Sequence, residues 1–166
     1  NDIAPQFTSS GTFSADENQT AIGTVTATDA EDDEVTFSVS GSELAITPAG
    51  ILTFVAAPDY ETKSSYSATV TASDGVNTST QDISVTINNL NDNSPEFTSS
   101  ATFSADENQT AISTVTATDA DGDTLTYSIS GSAITINSSS GVIAFTSAPD
   151  YETKSSYSAT VTASDG

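Results

Sequence analysis

Apolar and polar residues alternate along this chain with a period of two. Thr24-Val25-Thr26-Ala27-Thr28, Val35-Thr36-Phe37-Ser38-Val39 and Tyr66-Ser67-Ala68-Thr69-Val70-Thr71-Ala72 each send every second side chain to the same face. That spacing is the signature of a half-buried strand. Thr, Val, Ile, Phe and Tyr dominate these runs, as suits a pleated surface, and no stripe of helical period competes with them. Turn residues interrupt the runs roughly every ten positions, which predicts about six to seven strands per unit of an antiparallel Greek-key β-sandwich. The apolar alternate positions supply the core, and the Ser and Thr between them face water. Tyr66 and Tyr157, which open equivalent strands, are read as packing residues.

The chain also repeats itself. Phe13 to Ala21 recurs unchanged at Phe103 to Ala111, Thr24 to Ala30 at Thr114 to Ala120, and Pro58 to Gly75 at Pro149 to Gly166. The offset of about 90 residues is domain-sized and far exceeds a solenoid turn. The predicted organisation is therefore two tandem β-sandwich domains, residues 1–90 and 91–166. Repeat 1 continues from Val76 to Asn88 as a seventh strand, and repeat 2 is predicted to lack that strand within this chain. The open sheet edge this leaves is costly. It calls either for a longer array or for a strand added by a neighbouring molecule.

Charge narrows the partners. Asp and Glu number 23 against two lysines, with no arginine or histidine, for a net charge of -21. Nucleic acids and anionic membrane surfaces would be repelled. No apolar run approaches the length needed to insert in a membrane. Cysteine is absent, so neither disulfides nor thiol chemistry is available. A small domain without disulfides needs another staple, and a bound metal is the obvious one. The acidic and amide residues concentrate accordingly. If each strand reverses the one before, Glu17, Asp59 and Glu61 fall at the end of repeat 1 from which the chain exits. Asn91 and Asp92 lie in the connecting segment, and Asp119, Asp121 and Asp165 fall at the end of repeat 2 where the chain enters. Carboxylates converging there repel one another unless a cation intervenes. Calcium takes roughly six to eight oxygen ligands of this kind, whereas magnesium keeps its waters in a strict octahedron. Zinc and copper lack their usual His and Cys partners. Calcium is the predicted ion. Asp29, Glu31 and Asp74 form a matching set at the entry of repeat 1, with Asn1 and Asp2 as the remnant of a preceding linker. Glu107, Asp150 and Glu152 form another at the far end of repeat 2.

These residues resemble, in order and at domain spacing, the motifs of the cadherin extracellular repeat, and the resemblance covers essentially the whole chain. Pro95-Glu96-Phe97 stands for the Pro-x-Phe entry and Glu17-Asn18 for the Glu-Asn pair. Asp119-Ala120-Asp121 matches Asp-x-Asp, Asp59-Tyr60-Glu61 matches Asp-x-Glu, and Asp165 matches the Asp near the end of the sixth strand. Asn89-Leu90-Asn91-Asp92-Asn93 matches the linker. The resemblance implies a cadherin/immunoglobulin-like sandwich with several calcium ions per junction, the carbonyl of Asn93 as a further ligand, and calcium that stiffens the array. Two positions depart from the pattern: the first linker residue is Asn89 rather than aspartate, and the loop after Asp121 is cut short at Gly122-Asp123, so that either one ion is lost or Asp123 replaces the missing ligand. The Ser/Thr-rich, cysteine-free and nearly identical repeats resemble bacterial surface adhesins more than animal cadherins.

The expected function is thus a non-catalytic, calcium-binding structural and adhesion module in an extracellular, cell-surface array. Its partners are calcium, neighbouring repeats and possible adhesin chains. The alternative is a calcium-dependent polysaccharide-binding module, disfavoured because no tryptophan is available to stack on a sugar. An enzyme is disfavoured because His, Cys and Arg are all absent.

Overall fold

The strand-forming runs fold as their alternation dictates. In the computed structural model, which describes residues 3–166, the chain divides into two compact units, Asn1–Leu90 and Asn91–Gly166. Asn1 and Asp2, read above as a linker remnant, lie outside the described residues. The described residues form sixteen strands and no helix.

Unit 1 contains β1 (Gln6–Phe7), β2 (Thr12–Asp16), β3 (Ala21–Thr24), β4 (Ala27–Thr28), β5 (Thr36–Val39), β6 (Leu44–Ile46), β7 (Ile51–Phe54), β8 (Ser65–Ser73) and β9 (Thr78–Asn88). One sheet has the order β2-β9-β8-β5, the other β3-β7-β6, and β1 pairs with β4. β1 and β2 are two halves of one entry strand. The first runs antiparallel to β4, and the second crosses over to run parallel to β9. Ala15, Val70, Ile83, Val85 and Ile87 from one sheet meet Leu44, Leu52 and Phe54 from the other in a single core. Phe54 packs edge-on against Tyr66 at 5.0 Å, so Tyr66 is a packing residue.

The run Thr24 to Thr28, expected as one strand, is interrupted between β3 and β4. The interruption has a cause in hydrogen bonding: Val25 N–H donates to the Gly50 carbonyl at 2.8 Å, and the Thr26 carbonyl accepts from Thr8 N–H at 2.8 Å. The strand passes here from pairing with β7 to pairing with β1. Gly50 makes the close approach possible. Its φ is +86°, and a Cβ there would lie 2.1 Å from the Val25 carbonyl oxygen.

Unit 2 contains β10 (Glu96–Phe97), β11 (Ala111–Thr114), β12 (Ala117–Thr118), β13 (Thr126–Ile129), β14 (Ile134–Ile136), β15 (Val142–Phe145) and β16 (Val161–Ser164). The ladders β10-β12, β11-β15-β14 and β13-β16 reproduce those of unit 1 strand for strand. No counterpart of β9 is present among the described residues, and the consequence is local. Thr102 to Asp106 has the sequence of β2 yet forms no strand, and Ser156 to Ser164 has the sequence of β8 yet only its last four residues pair. Among the described residues of unit 2, the buried apolar side chains are Val115 and Ile143.

Candidate functional site

Glu17 follows β2 in a turn that Asn18 completes with φ +63°, a left-handed conformation asparagine tolerates better than most residues. Asn18 N–H donates to the Pro58 carbonyl at 2.9 Å, which docks the turn on the segment leading to Asp59. Glu17 itself is only 2% exposed. Its Oε2 accepts from Tyr60 N–H at 2.8 Å and its Oε1 from Leu90 N–H at 2.8 Å. One carboxylate thereby ties together the end of β2, the turn at Tyr60 and the chain leaving β9. A carboxylate has about four acceptor positions, so two remain for a cation. A carboxylate oxygen of Glu61 lies within 4.8 Å of one of Glu17. Asp59 accepts from the Thr62 hydroxyl at 2.9 Å and Thr62 N–H at 3.2 Å.

In unit 2, Asp121 plays the organising role. Its Oδ2 accepts from Asp92 N–H at 3.1 Å and Asn93 N–H at 2.8 Å, and its Oδ1 from the Asn93 side-chain amide at 3.1 Å. That amide also reaches Asp92 Oδ1 at 2.8 Å. The entering segment is therefore clasped by the loop after β12. Asp119, Asp121 and Asp123 each bring a carboxylate oxygen within 4.8 Å of the others. Asp119 Oδ2 is buried and accepts no hydrogen bond from the described residues. Like charges at about 4 Å repel by roughly 1 kcal/mol in water and about 4 kcal/mol near a protein surface. A hard cation would offset that repulsion and occupy the buried oxygen. Asn91 is exposed, and Asp165 is half-buried just after β16 and belongs to none of the close carboxylate groups among the described residues.

Unit 1 repeats this clasp at its own entry. Glu31 Oε2 accepts from Ile3 N–H at 3.1 Å, and Asp29, Glu31 and Asp33 gather within 4.8 Å. At the other end of unit 2, Glu107, Asp150 and Glu152 also gather within 4.8 Å, all exposed. The Thr153 hydroxyl, acting against desolvation and helped by the Thr153 and Glu152 backbone donors, holds Asp150 below the usual carboxylate range.

Two contributions escape a reading by residue type. Asp33 completes the group of Asp29 and Glu31, and the signal for it is the spacing of three acids at alternate positions in a turn, as it is for Asp123, the candidate replacement ligand, beside Asp119 and Asp121. The N–H groups of Tyr60 and Leu90 saturate Glu17, and backbone donors leave no mark on a sequence.

No family model matches the chain. It is 36% identical over 151 residues to protocadherin Fat 1 of Homo sapiens, an alignment covering 80% of this chain and 3% of that protein. It is 31% identical over 172 residues to the protocadherin-like wing polarity protein stan of Drosophila melanogaster, covering 89% of this chain and 5% of that protein. The chain thus spans only a small part of the length of these relatives. Among solved structures it matches human protocadherin-24 EC1-2 with a TM-score of 0.80 at 22% identity, covering 98% of this chain and 93% of that one. It matches mouse cadherin-23 EC22-24 with a TM-score of 0.79 at 28% identity, covering 98% of this chain and 60% of that one.

Proposed function

We propose, for a chain that has the cadherin extracellular-repeat fold and homologues among the protocadherins, that it is a non-catalytic calcium-binding module of a surface adhesion array. The single observation that carries this reading is the triad Asp119, Asp121 and Asp123, each with a carboxylate oxygen within 4.8 Å of the others, in which Asp119 Oδ2 is buried and accepts no hydrogen bond from the described residues. Calcium is bound by Glu17, Asp59, Glu61, Asn91, Asp92, the carbonyl of Asn93, Asp119, Asp121 and Asp165, with Asp123 in place of the ligand lost from the shortened loop. Ligands from successive repeats share the ions, so calcium converts a tether into a stiff spacer. The module works outside the cell, projecting a distal binding domain. The Ser/Thr-rich, cysteine-free composition supports an array of the bacterial adhesin type.

Calcium that binds the folded state and not the unfolded one adds about 2.7 kcal/mol at a hundredfold excess over its dissociation constant. For a unit of this size that corresponds to a rise in melting temperature of about 10 °C or more. The expected outcome is that melting rises by this amount from EGTA to millimolar calcium, and that the small-angle scattering profile becomes that of a stiffer particle. Identical melting and scattering in the two conditions would sink the proposal.

A further inference from the structure

The segment Thr24 to Ala30 of unit 1 is identical to Thr114 to Ala120 of unit 2, yet what surrounds it differs at three places. In unit 2 the Tyr127 hydroxyl accepts from Ala117 N–H at 3.1 Å, and Tyr127 N–H donates to the Ser138 carbonyl at 2.8 Å. Unit 1 has Phe37 for Tyr127, and Pro48-Ala49 where unit 2 has Ser138-Ser139-Ser140. The Phe37 ring keeps the same place: a Cβ on Gly50 would lie 3.3 Å from it, as one on Gly141 would lie 3.5 Å from Tyr127. Both acceptors are therefore lost. Thr8 N–H donates to the Thr26 carbonyl, and Ser40 N–H to the Thr69 carbonyl. Bonded and non-bonded pairs alternate along an antiparallel ladder, so Ala27 N–H is turned away from β1 and Phe37 N–H away from β8. Neither finds an acceptor among the described residues. The third difference adds charge. Asp32 stands where unit 2 has Gly122, and it holds that glycine's left-handed conformation, with φ +62° against +82°. Such a conformation costs stability for a residue with a side chain, and residues held this way gather at functional positions.

The three differences meet at one cleft of about 410 Å³ within unit 1, a volume in the range of small-ligand sites. Ala27 lines it, Val35, Phe37 and Ala49 give it an apolar wall, and Asp29, Asp32 and Asp33 give it charge. No lining residue is cationic. We propose that this cleft binds an acylated arginine or lysine residue. Its carbonyl oxygen accepts from Ala27 N–H, in the place that the Tyr127 hydroxyl holds in unit 2. Its methylene stem lies on Phe37 and Val35, and its cation faces the three carboxylates. Each part of the ligand answers a feature of the cleft. Two donors without partners call for an acceptor, which a bare ammonium or metal ion lacks. Three carboxylates without a counter-charge repel an anion. An apolar wall beside charge suits a long stem with a cationic tip. The same chemistry is offered by a free amino-acid derivative and by a residue within a partner polypeptide. The inference does not rest on the calcium-binding function proposed above, because Ala27, Phe37 and Asp32 belong to none of the gathered carboxylate groups. Asp29 and Asp33 do gather with Glu31, so calcium held there would compete for part of the charge.

The test titrates the whole chain in EGTA, so that calcium plays no part, with Nα-acetyl-arginine methylamide while backbone amide signals are followed by NMR. Expected are saturable shifts at Ala27 and Phe37 with none at Ala117 and Tyr127. The citrulline analogue, which keeps the shape and the carbonyls but loses the charge, should bind about tenfold more weakly. Asp32→Gly should weaken binding about two- to fivefold and leave the chain at least as stable, since it restores the residue that unit 2 carries. Phe37→Tyr, also taken from unit 2, should cap Ala27 N–H and weaken binding about tenfold. Tighter binding of acetyl-Ser-Arg-Ser amide than of the single residue identifies a partner polypeptide as the source, and equal affinity identifies a free ligand. Absence of saturable shifts, equal binding of the citrulline analogue, matching shifts at Ala117 and Tyr127, or an affinity that neither substitution changes overturns the proposal.

Discussion

Replacing Glu17 by alanine should lower the unfolding free energy of unit 1 by about 2–3 kcal/mol in EGTA, before any ion is lost. The side chain is 2% exposed and accepts from the N–H groups of Tyr60 and Leu90. Removing it leaves both donors without their acceptor, at about 1–3 kcal/mol for each that water cannot reach. Glu107 provides the internal control. It has the same sequence neighbourhood but is exposed, and it accepts from Tyr151 N–H at 3.1 Å. Glu107→Ala should therefore cost no more than about 0.5 kcal/mol, as an ordinary surface substitution does. Urea denaturation of the two variants checks this. Equal costs at the two positions would mean that Glu17 is not an anchor.

Gly50→Ala should cost unit 1 about 2–4 kcal/mol, combining a left-handed backbone that disfavours alanine with a steric clash. The clash is with backbone rather than a side chain that could swing away, since the Cβ would sit 2.1 Å from the Val25 carbonyl oxygen. Gly141→Ala meets the Val115 carbonyl at the same 2.1 Å and should destabilise unit 2 by a similar amount. By contrast, Gly41→Ala has nothing within 4 Å and bears only the backbone strain of φ +81°. Denaturation midpoints of the three variants separate clash from strain. If all three shift alike, the clash contributes nothing.

The all-β fold followed from period-two alternation, and Phe37, Leu44, Leu52, Val70 and Val85 pack inward as that alternation requires. What alternation could not reveal is how much of a strand forms without its neighbour. The nonapeptide Ser-Tyr-Ser-Ala-Thr-Val-Thr-Ala-Ser is a nine-residue strand at Ser65–Ser73, and in unit 2 its last four residues alone pair. The local sequence is identical, so the difference is tertiary: β9 pairs with Ser65–Ser73 in unit 1, and among the described residues no strand pairs with the matching side of 156–164. The break at Val25 was hidden for a related reason, because a run of alternating Thr and apolar residues reads the same whether it pairs with one partner or two in succession.

The candidate site was legible as chemistry and less so as geometry. Acidic and amide residues at motif spacing pointed to Glu17, Asp119 and Asp121, and the structure places each in a hydrogen-bonded cluster with its neighbours. Asp59 is different. Its carboxylate is held by Thr62, an aspartate-turn interaction with a residue three positions on that the sequence does carry. To bind calcium, Asp59 would have to share its oxygens with that hydroxyl or release it. Asp123 was legible as a replacement for the ligand missing from the shortened loop, and its closeness to Asp119 and Asp121 depends on the turn at Gly122, where φ is +82°.

The most direct measurement of the central claim is a calorimetric titration of the chelator-stripped chain with calcium and, in parallel, with magnesium, at physiological ionic strength. Saturable calcium binding at more than one site per chain is predicted, with magnesium markedly weaker and with Asp121→Asn reducing the number of sites or their affinity. Contradiction would come as heats that do not saturate, or that calcium and magnesium produce alike and Asp121→Asn leaves unchanged, the behaviour of a diffuse ion atmosphere around a chain of charge -21.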